Sequence, residues 1–185
     1  MDRTGISSMK KIILNLVVFV SITLLYTGCS NYRLGGTPIN LPFRSVYVQP
    51  VKNLSYAPQA TNLLTNAISD AISQTPELKV ANVGDADAVL DVVLTGYNKR
   101  MYASKSTENA KGELDTALAA AYKITAVAEC TLTVGGKVLF NKRKVEASVI
   151  IYHTSNDFIN SEYQNMPVLM RDLGRKIKDT IIGIW

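Results

Sequence analysis

Between Tyr122 and Val134 the chain alternates in character. Tyr122, Ile124, Ala126, Ala128, Cys130, Leu132 and Val134 are apolar, and Lys123, Thr125, Glu129, Thr131 and Thr133 stand between them. Successive strand residues point to opposite faces, so a period of two describes a strand with one face in a core and the other in water. Gly135-Gly136 follows and supplies the positive φ angles of a tight hairpin turn, which returns Lys137 to Tyr152 as an antiparallel partner. The apolar face of such a hairpin must be covered by a second layer.

The rest of the chain supplies that layer. Ala88, Leu90, Val92 and Leu94 begin another long strand on one face, with Asp91, Thr95, Tyr97 and Lys99 assigned to the other. Ser45 to Val51 is a β-branched and aromatic run stopping near Pro50, and Leu78 to Val83 is a further short strand. Leu63, Leu64, Ala67, Ile68, Ala71 and Ile72 recur at helical spacing between Gln59 and Gln74. Leu169, Leu173, Ile177 and Ile181 do the same from Pro167 to Ile182, with Arg171, Arg175, Lys176 and Lys178 off that stripe or along its edges. Residues 104–116 are polar and contain glycine, and read as a loop at a sheet edge. In the returning strand Val145, Ala147, Val149 and Ile151 share one parity, whereas Val138 and Phe140 carry the other. Either a bulge between Asn141 and Lys144 reconciles the halves, or Phe140 packs on the solvent face. The fold class is α+β: a two-layer sandwich whose four- to five-stranded, mostly antiparallel sheet carries two helices packed on one face.

The amino-terminal region follows a different logic. Arg3, Lys10 and Lys11 precede an uncharged run from Ile12 to Gly28, the layout of a secretory signal. Translation from Met9 would give a tighter signal than from Met1. A permanent transmembrane helix is the competing reading, but the apolar stretch ends near Leu25, short of the roughly 18 to 20 residues a bilayer needs. Cleavage before Cys29 removes residues 1–28 and leaves that thiol for acylation, which anchors the chain to a membrane. Leu25 lies four residues before the cysteine, and Tyr26 takes the place where such signals usually carry leucine. Ser30 rather than aspartate follows the cysteine and favours the outer membrane. Residues 29–44, with Gly35-Gly36, Pro38 and Pro42, form a tether, and 45–185 a single domain. A Cys29–Cys130 disulfide is the alternative, but Cys130 alternates in phase with the buried residues around it.

Catalytic constellations are sparse. His153 is the single histidine and reads as a strand-end residue, and there is neither a G-x-S-x-G motif nor a phosphate-binding glycine loop. Asp85 and Asp87 belong to a Gly-Asp-Ala-Asp turn, where carboxylates usually cap backbone. The reading is therefore a non-enzyme with no metal and no cofactor. With 20 lysines and arginines against 15 acids, the basic excess is too mild for a nucleic-acid binder. Lys99-Arg100 closes one long strand and Lys142-Arg143-Lys144 lies along another. Brought together on the sheet rim they would bind phosphate or carboxylate groups; held apart, they guard an exposed edge against pairing.

With these segments placed, the chain resembles the LptE-like lipopolysaccharide-assembly lipoproteins. Tyr32-Arg33-Leu34 soon after Cys29 is similar to that family's opening. Val46 to Leu54 looks like its first strand, and Ala60 to Ile72 like the helix that follows. Asp85 to Leu90 with Gly96-Tyr97 beyond, and the hairpin of Tyr122 to Val134 and Lys137 to Phe140, resemble its central strands. The resemblance implies an outer-membrane lipoprotein on the periplasmic side that plugs an LptD-type β-barrel, helps it assemble and binds lipopolysaccharide. Lys99, Arg100, Lys142 and Arg143 are the candidate lipopolysaccharide contacts, and Cys29 the lipid attachment. A different reading is a lipoprotein that regulates a cell-wall synthase. The stretch between Cys29 and the first strand spans at most ~50 Å, which places the domain close to its membrane.

Overall fold

In the computed structural model, residues 41–108, 111, 114–152 and 158–183 are described. The hairpin forms as its pattern dictates. β5 (Leu114–Val134) and β6 (Lys137–Tyr152) pair antiparallel through Gly135 at φ 54° and Gly136 at φ 78°. Two successive positive φ angles match the right-handed twist of the flanking strands. β4 (Ala88–Glu108) pairs antiparallel with the other side of β5, with Leu90 opposite Leu132, Val92 opposite Cys130 and Leu94 opposite Ala128. All six of these side chains are fully buried.

β1 (Ser45–Val48) and β2 (Lys52–Asn53) add parallel to β4, and β3 (Lys79–Val80) adds parallel to β1. Parallel neighbours need a crossover, and α1 (Ala60–Ser73) supplies it between β1 and β3. The sheet described is thus six-stranded, in the order β3-β1-β4-β5-β6, with β2 also on β4. The count exceeds the anticipated four to five by β2, a two-residue strand too short to carry a hydrophobic period; β3 is the short strand read at Leu78 to Val83, reduced to two residues.

Both helices lie on one face. Ala60, Leu64, Ile68 and Ile72 of α1 are buried at four-residue intervals, as are Met166, Leu169, Met170, Leu173, Ile177 and Ile181 along α2 (Phe158–Ile182). At their crossing, a Cβ built on Gly174 would stand 2.8 Å from the carbonyl carbon of Ala67, so only glycine permits this approach. α2 begins nine residues before the expected start at Pro167 and carries that proline inside it. Its extra turns are secured from outside: Glu162 receives bonds from Tyr97 and Lys99, and Tyr163 from Gln59. These contacts offset the one backbone bond that proline removes.

Residues 104–116 were anticipated as loop, but the ladder continues to Glu108 on β4 and resumes at Leu114 on β5. β6 ends opposite Ala121, so the described residues beyond it, to Glu108 on β4 and from Leu114 on β5, pair as a two-stranded ribbon. Backbone pairing alone leaves no burial period in a sequence.

Candidate functional site

Two bulges decide where the basic side chains go. On β4, Leu94 pairs with Ala128 but Gly96 with Val127, so Thr95 is an extra residue and the phase of the strand reverses beyond it. Tyr97 and Lys99, assigned to the outer face by alternation, therefore turn toward the helices. Tyr97 is only 5% exposed; its hydroxyl donates to Glu162 Oε1 at 3.0 Å, and Lys99 Nζ to Oε2 at 2.5 Å. Burial first, then the Glu162 charge and hydrogen bond, raise the Tyr97 phenol well above its ordinary pKa. Arg100, one residue on, emerges on the opposite face of the sheet.

The second bulge confirms one of the two alternatives for β6. Cys130 pairs with Arg143 and Leu132 with Phe140, so Asn141 and Lys142 together oppose Thr131. The Thr131 hydroxyl donates to Asn141 Oδ1 at 3.1 Å and accepts the Lys142 N–H at 3.2 Å, holding Lys142 at φ 50°. Phe140 consequently packs against the core, with the Arg143 guanidinium 5.1 Å from its ring centroid. A further shift between Leu132 and Thr133 leaves Val138 exposed.

Of the five cations that would either join on the sheet rim or guard its edge apart, the structure groups only Arg100 and Lys144. Lys99 faces α2, Lys142 sits in the bulge, and Arg143 lies over Phe140. Arg100 and Lys144 instead share the helix-free face with Lys123, the cross-strand partner of Arg100. With Asn98, Thr125, Val127 and Glu146 they line a shallow depression of ≈ 320 Å³. None of the three cations forms an ion pair among the described residues. Three solvated cations beside a hydroxyl and an amide suit phosphate or carboxylate groups, with arginine supplying two parallel donors. Lys123 was visible in the sequence only as one polar member of an alternating strand. Pairing it with Arg100 requires the register that the Thr95 bulge sets.

Other candidate groups are structural. Asp87 Oδ2 accepts from the Arg44 and Ser45 backbone N–H groups, each at 3.0 Å, and from the Ser45 hydroxyl at 2.7 Å. It holds the start of β1 against the turn before β4. Cys130 is a free, fully buried thiol, pushed up to about 12 by burial and then by the charges of Asp91 and Glu129. Among the described residues no group of three potential metal ligands converges, and no helix is long and apolar enough to cross a membrane. Cys29 and His153 lie outside the described residues.

The family model for lipopolysaccharide assembly, LptE, matches residues 43–181, from the buried Phe43 to the last buried residue of α2. The chain belongs to the LptE family. No curated protein matches it. Among solved structures, a protein from Xanthomonas campestris is similar in fold to this LptE-family chain, with a TM-score of 0.50 at 10% identity, covering 76% of this chain and 84% of that one. An uncharacterized lipoprotein B from Nitrosomonas europaea gives 0.48 at 16% identity, covering 83% and 86%. A hypothetical protein from Chlamydia trachomatis gives 0.49 at 15%, covering 76% and 96%. The LptE match spans both helices and all six strands described above, so the helix-free basic face belongs to the domain the family shares.

Proposed function

We propose that this LptE-family protein is an outer-membrane lipoprotein, acylated at Cys29, that seats in the lumen of an LptD-type β-barrel and helps it assemble. On this reading it assists lipopolysaccharide delivery by holding anionic groups of the glycolipid on its helix-free sheet face. Family membership over residues 43–181 carries the reading. The uncovered face supports it chemically: Thr, Asn, Lys and Arg side chains suit a polar lumen, and Arg100, Lys123 and Lys144 offer charge where lipid A is phosphorylated. Of the residues singled out by sequence, Arg100 ranks first. Lys99 is engaged by Glu162, Lys142 sits in the β6 bulge, and Arg143, opposite the buried Cys130, stands over Phe140 on the core side of that edge strand.

Affinity capture from detergent-solubilised outer membrane is expected to recover a β-barrel of the LptD type. Recovery of a cell-wall synthase without a barrel would refute the plug. Reversing Arg100, Lys123 and Lys144 to glutamate is expected to weaken lipopolysaccharide binding about ten- to a hundred-fold, since hydrogen bonds to charged groups contribute about 1.5–3 kcal/mol. Equal binding by the triple variant would leave these cations as a solubilising surface.

A further inference from the structure

On the other side of the molecule, the outer surfaces of α1 and α2 enclose a groove of ≈ 400 Å³. Arg171, Arg175 and Lys178 line its α2 wall, and Asn66, Asp70 and Gln74 its α1 wall. Ala67, Ala71 and Pro167 are also among its lining residues. Arg175 reaches Asp172 at 2.6 Å and Lys178 pairs with Asp179, both acids of the same helix. Arg171 has no ion-pair partner among the described residues. The groove therefore presents a row of three cations against two amides that flank Asp70, over Leu63 and small apolar residues.

We infer that this groove docks an extended acidic protein segment, a strand of the partner barrel's inner wall with carboxylates at alternate positions. The inference rests on the barrel-plug reading and adds which face meets the wall and by what chemistry. Spacing supports it. Arg171 and Arg175 are four residues apart, a rise of ~6 Å along the helix axis. Alternate residues of a strand share a face at ~6.6 Å, and lumen-facing residues of a barrel are alternate ones. Arg171 can then receive one carboxylate bidentately, and Arg175 a second in exchange for its exposed contact with Asp172. Asn66 and Gln74 carry amides that match peptide groups, which an acyl chain would leave unpaired.

The full-length lipoprotein in its native membrane tests this. Photo-crosslinking p-benzoylphenylalanine in place of Asn66 or Gln74 is expected to attach the barrel, at a segment with alternate acids. Capture with R171E/R175E is expected to recover at least about tenfold less barrel than wild type, and reversing the crosslinked acids to lysine to restore it. The milder R171Q/R175Q, with circular dichroism matching wild type, guards against misfolding. Full recovery by both folded variants, or crosslinking to lipopolysaccharide instead of protein, overturns the groove assignment while leaving the barrel reading intact. A wild-type chain that captures no barrel overturns both.

Discussion

Asp87 shows how one exposed carboxylate can organise a sheet start. The Arg44 backbone N–H, then the Ser45 hydroxyl and the Ser45 backbone N–H, hold it below the usual carboxylate range. Because its folded pKa is depressed, its contribution is complete above the unfolded carboxylate range and is lost as pH falls through the lowered value. Asp87→Asn is therefore expected to lower the thermal midpoint at neutral pH, and the gap from wild type to close in acid. A gap that stayed constant with pH would show that geometry, not charge, matters there. The sequence identified this aspartate as turn chemistry because Gly-Asp-Ala-Asp is a local signal. It could not show that the partners lie 42 and 43 residues away.

Among elements, long amphipathic patterns were legible and phase changes were not. The stripes of α1 and α2 and the alternation of β5 are written in the order of residues: Leu64, Ile68 and Ile72, the four α2 residues, and Ile124 to Leu132 at alternate positions are buried as read, while Leu63, Ala67, Ala71, Tyr122 and Val134 are only partly so. The Thr95 bulge has no such signature, since Thr95, Gly96 and Tyr97 all suit a regular strand. Its consequence was that Tyr97 and Lys99 were assigned to the wrong face. The β6 bulge was legible because two apolar sets of opposite parity demanded it. Close packing of the helices is equally silent in sequence: Gly174 reads as a weak helix residue, yet it admits the Ala67 backbone. Alanine in an open helix would gain about 1 kcal/mol over glycine. At this crossing the added Cβ meets backbone at 2.8 and 2.9 Å, and overpacking of that kind costs ~1–3 kcal/mol. Gly174→Ala is expected to lower the urea midpoint, and Gly174→Val to lower it further. An unchanged or raised midpoint for alanine would mean that the helices part without penalty.

Taken whole, the molecule keeps folding and recognition on different surfaces. Its core lies between the helices and one sheet face, leaving the outer sheet face and the outer helical groove free to carry charge. The candidate site was only half legible for that reason: cations were plain in the sequence, but their grouping depends on which surface each reaches. The Thr95 bulge governs that sorting for the distal half of β4: by setting one surplus residue aside, it lets every residue beyond keep its partner on β5. Excising Thr95 would leave Leu94 and Gly96 on consecutive partners, Ala128 and Val127, so Tyr97 would keep Ala126 opposite it and its place under the helices. The Tyr97 phenol is then expected to keep its raised titration in an ultraviolet pH scan, and a fall to that of an ordinary tyrosine would show that the distal half had turned over. A lineage may shed this surplus residue without exchanging what is sheltered for what is shown, whereas one that kept it and ironed the strand flat would turn the far end of β4 inside out.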